Sequence, residues 1–159
     1  MRKILYIYFA GTILFSACTD NIKNVQLLND KAALPSAFKL DTMGLKVMSS
    51  FINKKLGTMS ILYANPLALK NAVIGSEDHQ AGEVFALITW KQQDDENWFG
   101  GKIPGYLLSA EVIKTTSTGN RTFINYKKYD GKNLVASQDT LHQQDRIKYI
   151  FDQQPSVMP

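Results

Sequence analysis

The chain has 159 residues, 45% of them hydrophobic and 20% charged, with a formal net charge of +4. That length suits one ordinary domain with a sizeable core. No block of Lys or Arg suited to nucleic acid or to a polybasic membrane patch is present, and a single cysteine, Cys18, excludes a disulfide within the chain.

The first residues read as an export signal. Arg2 and Lys3 make a positive start, and Ile4 to Phe15 is an uncharged apolar run, shorter than the roughly 20 residues a spanning helix needs. Ser16 and Ala17 are small residues of the kind a signal peptidase accepts, and Cys18 follows at once. Residues 1–17 are therefore assigned to a signal peptide. Phe15-Ser16-Ala17-Cys18 resembles the bacterial lipobox, in which cleavage precedes a cysteine carrying diacylglycerol; Phe15 stands where Leu is favoured. Losing Arg2 and Lys3 with the leader lowers the formal charge from +4 to +2. Residues 18–41, rich in Asn, Asp and Lys, read as the lipidated N-terminus and a tether, and 42–159 as the folded domain.

In chain order, Leu45 to Ile52 and Leu56 to Ala64 predict a hairpin. Asn65-Pro66 predicts an N-cap with Pro at the first helical position, and Gly75 a stop; Leu69, Ala72 and Val73 are expected on the inner helix face. Glu83 to Lys91 alternates poorly, as a central strand covered on both faces does. Asp94 to Gly105 reads as a polar loop carrying Trp98, Tyr106 to Lys114 as a strand, and Arg121 to Tyr129 as its return. Thr140 and Gln143 form a capping-box pattern for a last helix with Ile147, Ile150 and Phe151 on one face. The order β-β-α-β-β-β-α predicts an α+β fold with a mostly antiparallel sheet and two or more helices.

Chemistry-bearing residues are sparse. Trp90, Trp98 and Tyr126 are the aromatic residues that could line a ligand pocket on the sheet. Asp94-Asp95-Glu96 reads as a solvated acidic run, and His79 as a loop residue without a second His or Cys spaced for zinc. Gly100-Gly101 does not open a helix, so no phosphate-binding loop is expected. No catalytic set can be assembled from residue order alone, so enzymatic activity is not expected.

Four pieces, Gly57 to Asn65 (GTMSILYAN), Ala81 to Trp90 (AGEVFALITW), Leu107 to Thr115 (LLSAEVIKT) and Ile124 to Lys132 (INYKKYDGK), stand in an order that resembles the cytochrome P-460 family. The resemblance covers roughly residues 45–152 and implies an antiparallel sheet with a few helices, one side of which holds a haem attached through Cys-x-x-Cys-His. Here Gln138 and Leu141 stand where the cysteines belong and His142 where the iron ligand belongs. Thioether attachment needs thiols, so covalent c-type haem is excluded. Lys114 lies in a strand similar to the one that carries the family's haem-linked lysine, but its spacing does not carry that role over.

The resulting expectation is a haem-free binding or interaction module, tied by a lipid anchor to a membrane of the bacterial cell envelope on its periplasmic or outer-surface side, with no cofactor and no nucleic-acid partner. The alternative is a redox or gas-binding protein that holds non-covalent haem through His142. The anchor is directly testable. Cells fed a radiolabelled fatty acid should label the wild-type chain and not Cys18→Ser; equal labelling of the two would remove the lipoprotein reading.

Overall fold

The computed structural model describes residues 29–36, 38–76, 78–119, 121–138 and 141–156. The residues read as signal peptide, Cys18, those read as tether up to residue 28, and Thr140, expected to cap the last helix, lie outside the described residues. Six strands pair strictly with their neighbours in sequence to form one antiparallel sheet: β1 (Lys46–Asn53), β2 (Thr58–Ala64), β3 (Val84–Asp94), β4 (Lys102–Thr118), β5 (Arg121–Asp130) and β6 (Val135–Ala136). Helix α1 (Pro66–Ile74) joins β2 to β3, and α2 (Gln143–Phe151) follows β6. The fold is thus α+β and antiparallel, but its order holds one strand more than the sequence pattern predicts. That strand, β6, is a two-residue bridge beside Tyr129 and Asp130, reached through a turn with Gly131 and Leu134 both at positive φ. Two residues are too few to show a period.

The β1–β2 turn is closed by the Asn53 side chain, which accepts from Leu56 N, and by Gly57 at φ 61°. Helix α1 begins and ends where its residues dictate. Asn65 Oδ1 accepts from Ala68 N at 3.0 Å, and Gly75 adopts the left-handed conformation that a side chain would strain. Its rotation differs from the apolar pattern: Ala68 and Asn71 are buried, whereas Val73 is 73% exposed. The reason is polar, since Asn71 must reach a buried carboxylate, described below.

The loop expected from Asp94 to Gly105 contracts to residues 95–101, and the strand after it lengthens to 17 residues. Asp95 N donates to Gly101 O and Gly101 N to Trp98 O, closing a tight hairpin tip. Gly105 belongs inside the strand because a Cβ there would stand 2.9 Å from Lys91 O. Register shifts on either side of Trp90 accommodate this stretch, which also holds Pro104.

Strand β3 is buried on both faces, as its sequence predicts. Phe85 and Leu87 face one way, joined by Leu62, Ala64 and Ile113, and α2 covers them with Ile147, Ile150 and Phe151. Ile88 and Trp90 face the other way with Leu107 and Ala110. Their cover is the segment grouped by composition with the tether: Ala32, Leu34 and Phe38 pack there, and Trp90 Nε1 donates to Ala32 O at 2.9 Å. The folded body therefore reaches N-terminally beyond residue 42, to at least Asn29, whose Nδ2 donates to Pro104 O at 2.6 Å. The sequence concealed this, because Ala32, Leu34 and Phe38 stand in a short run interrupted by Pro35 and Ser36 that carries no helical or strand period. A chain beginning at Thr42 should consequently melt well below one beginning at Cys18, since the deletion uncovers Ile88 and Trp90. Coincident thermal transitions, followed by circular dichroism, would show that this cover is dispensable.

Candidate ligand pocket and buried polar networks

Among the described residues, two carboxylates are buried against the helix-bearing face. Glu83 is fully buried just before β3. Its Oε1 accepts from Asn71 Nδ2 at 2.6 Å and Gln80 N at 2.8 Å, and its Oε2 lies 2.7 Å from His79 Nδ1. Its own backbone N–H donates to Thr115 Oγ1, which in turn donates to Gln80 O at 2.5 Å. His79, expected as a loop residue, is only 19% exposed at its side chain, and its ring stacks on Phe151 with centroids 3.5 Å apart. A carboxylate on imidazole Nδ1 is the pairing that orients a histidine. Here it pins the segment between α1 and β3 to both helices. Together they line a cleft of about 500 Å³ with Asn71, His79, Gln144 and Lys148 on its walls. Among the described residues no group of His, Cys, Asp or Glu is assembled to hold a metal ion.

Glu111 on β4 is the second buried carboxylate. Arg146 of α2 donates to it twice, from Nε at 2.9 Å and Nη2 at 2.7 Å, and Tyr126 Oη donates at 2.7 Å. Such a bidentate pair fixes both position and orientation of the helix. Every buried side-chain nitrogen and oxygen among the described residues has a partner.

The opposite face carries a different kind of site. Over β4 and β5 lies a pocket of about 580 Å³. Its walls are apolar where Phe38, Met43, Val112 and Leu134 meet, and Lys114 and Lys127 stand on the same sheet face. Register explains the placement: Val112 pairs with Lys127 and Lys114 with Asn125, so the two lysines are diagonal neighbours across the β4–β5 ladder. Neither has an acidic partner among the described residues. The volume falls within the range of small-molecule sites. Sequence reasoning missed this pocket because part of its wall, Pro35 and Phe38, comes from residues read as tether. Alternation along β5, which sets Asn125, Lys127 and Tyr129 on one face, was the available signal.

The residues singled out from sequence do not converge. Trp90 is buried on the second face, Tyr126 lies on the first beside Glu111, and Trp98 is 74% exposed at the β3–β4 tip. They therefore do not share a pocket. His142 precedes α2 at φ 62°, makes no side-chain capping bond and sits 3.4 Å from Asp145; its side chain is 79% exposed. Haem iron needs a ligand aimed into an enclosed cavity, and this arrangement does not fit one. The acidic run is local: Asp94 pairs with Lys102, and Asp95 accepts from Asn97 N within the turn. No protein-family model matches the chain, and no curated protein matches it.

The Glu111 network makes stability sensitive to base. Burial first, then the hydrogen bond and charge of Glu111, raise the Tyr126 phenol well above its ordinary value near 10. Burial also raises Tyr63. The unfolded chain then releases these protons first, so it binds fewer protons than the folded chain and stability falls as pH rises above about 10. Urea unfolding between pH 8 and 11 should show this loss, and Tyr126→Phe should lower stability at pH 8 while flattening the alkaline slope. An unchanged slope in Tyr126→Phe would show that the phenol is not coupled to folding.

Proposed function

We propose that this chain is a lipid-anchored protein of the bacterial cell envelope whose body is a haem-free, cytochrome P-460-like domain that binds an amphiphilic anion. The observation that supports binding is the pocket over β4 and β5, where an apolar wall adjoins two lysines without acidic partners among the described residues. Phe38, Met43 and Leu134 suit an alkyl chain, and Lys114 and Lys127 suit a carboxylate or phosphate head. Because both ammonium groups are exposed, they meet an anion without a large desolvation cost. The lipobox-like run ending at Cys18 supports the anchor, and the absence of any cysteine after it supports a body without thioether-linked haem.

Palmitate titrated into the full mature chain by calorimetry tests the binding reading. Wild type should bind with one site, and Lys114→Glu/Lys127→Glu should weaken it about tenfold or more, since two exposed ion pairs of up to about 1 kcal/mol each become repulsive. Unchanged affinity in the double variant, or no heat from wild type, would remove the pocket as a ligand site. Haem serves as the contrasting probe. A Soret shift at equimolar haem that disappears in His142→Ala would instead favour the haem-binding alternative.

A further inference from the structure

The tip of the β3–β4 hairpin presents two adjacent aromatic side chains to solvent: Trp98 is 74% exposed and Phe99 fully so. The turn does not need them. Its closing bonds run from Asp95 N to Gly101 O, from Gly101 N to Trp98 O and from Asn97 N to Asp95 Oδ1, with Gly100 at φ 77°. None of these uses an aromatic ring, so any polar residue would close the same turn. The stem beneath is firm, with Asp94 paired to Lys102 in register and through their side chains.

The place of this tip in the molecule indicates what covers it. Asn29, the first described residue, bonds to Pro104 O, and Pro104 pairs with Gln92 two register steps below the Asp94–Lys102 pair that closes the stem. The described body therefore begins at the hairpin end, and Cys18 lies upstream of that point in sequence. Asn29 lies eleven positions after Cys18, a reach of at most about 40 Å when fully extended. Pro104 and Phe99 lie five residues apart, at most about 18 Å. We propose that Trp98 and Phe99 insert into the headgroup region of the bilayer to which the acylated Cys18 is attached, so that the body stands on this hairpin. The proposal rests on the lipoprotein reading. Aromatic side chains favour that region of a bilayer because one part of it is apolar and the other wet. Asp95 and Glu96 flank the tip and its nearest lysine, Lys102, is paired, so the contact is apolar rather than electrostatic and a zwitterionic surface suffices. The opposite hairpin, between β4 and β5, lies at the far end of a strand of 17 residues, about 55 Å long, and points away.

Two arms separate failure of the anchor from failure of the tip. In the first, the acylated full chain is reconstituted in phosphatidylcholine vesicles containing acyl-brominated lipid. Quenching of wild-type fluorescence should vanish in Trp98→Phe, because Trp90, the other tryptophan, is buried in the body. An anchored protein whose Trp98 is unquenched, whether bare or docked on another protein, overturns the proposal. In the second arm, the unacylated Cys18→Ser chain is sedimented with phosphatidylcholine vesicles. Trp98→Ser/Phe99→Ser should lower its partitioning at least tenfold, while Phe123→Ser at the far hairpin should leave it unchanged. Equal partitioning of the tip variant and its parent overturns the proposal, and does so whether or not Cys18 is acylated in cells.

Discussion

Burial of β3 on both faces is the constraint from which the rest of the architecture follows. A sheet whose middle strand carries Phe85 and Leu87 on one side and Ile88 and Trp90 on the other cannot leave either side to water. An antiparallel meander supplies no crossover helices to do the covering, so each face needs its own device. One face takes α1, α2 and the segment between α1 and β3. The other takes Ala32, Leu34 and Phe38 and the turn that carries Leu134. Both covers are short, and each is tied to the sheet by a specific hydrogen bond as well as by packing.

The two buried carboxylates show how such ties work without a disulfide. Glu83 reaches α1 through Asn71 and α2 through His79 stacked on Phe151, while Glu111 holds α2 through Arg146. Each carboxylate would be costly to bury alone and becomes directional once its oxygens are filled. The helices are consequently positioned by donors and not only by apolar faces. Among the described residues the second face buries no such carboxylate, and its lysines remain available at the pocket edge. The polarity of the two sides is therefore asymmetric.

How much of this was legible in the sequence depended on how local its cause was. Asn65, Pro66 and Gly75 delimit α1 by their own backbone chemistry, and the structure places the helix between them. The poor alternation of Glu83 to Lys91 announced a doubly covered strand. What stayed hidden arises from distant partners. Asn71 turns inward, against the apolar period of its helix, to meet Glu83. His79 is drawn in by the same group, 4 residues away in sequence but presented from the start of a strand. Residues 32–38 have a role only because Trp90, 58 positions later, needs a cover and an acceptor for its indole N–H. The candidate pocket joins that cover to β5, so neither half announces it, and the aromatic trio of Trp90, Trp98 and Tyr126 fails because strand parity puts two of its members on opposite faces.

The strictly sequential strand order bears on how the chain reaches this state. Every ladder closes between neighbours in sequence, so the sheet can grow strand by strand at a modest loop-closure cost, the longest closure being β2 to β3 across residues 65–83. The contacts that complete the body are different in kind. Trp90 to Ala32 spans 58 residues, Arg146 to Glu111 spans 35, and Ser49 Oγ to Gln154 O, beside the outer edge of β1, spans 105. Hairpins of this type form in microseconds, before such remote pieces are secured. A meander lacking these contacts would carry apolar residues on both sides and an unguarded β1 edge, features that promote association between copies. The segment after α2, which places Ser156 N on Met48 O, closes that edge from beyond the sheet in sequence. For any chain that emerges N-terminus first, the guard of the first strand would then arrive after the whole sheet it protects.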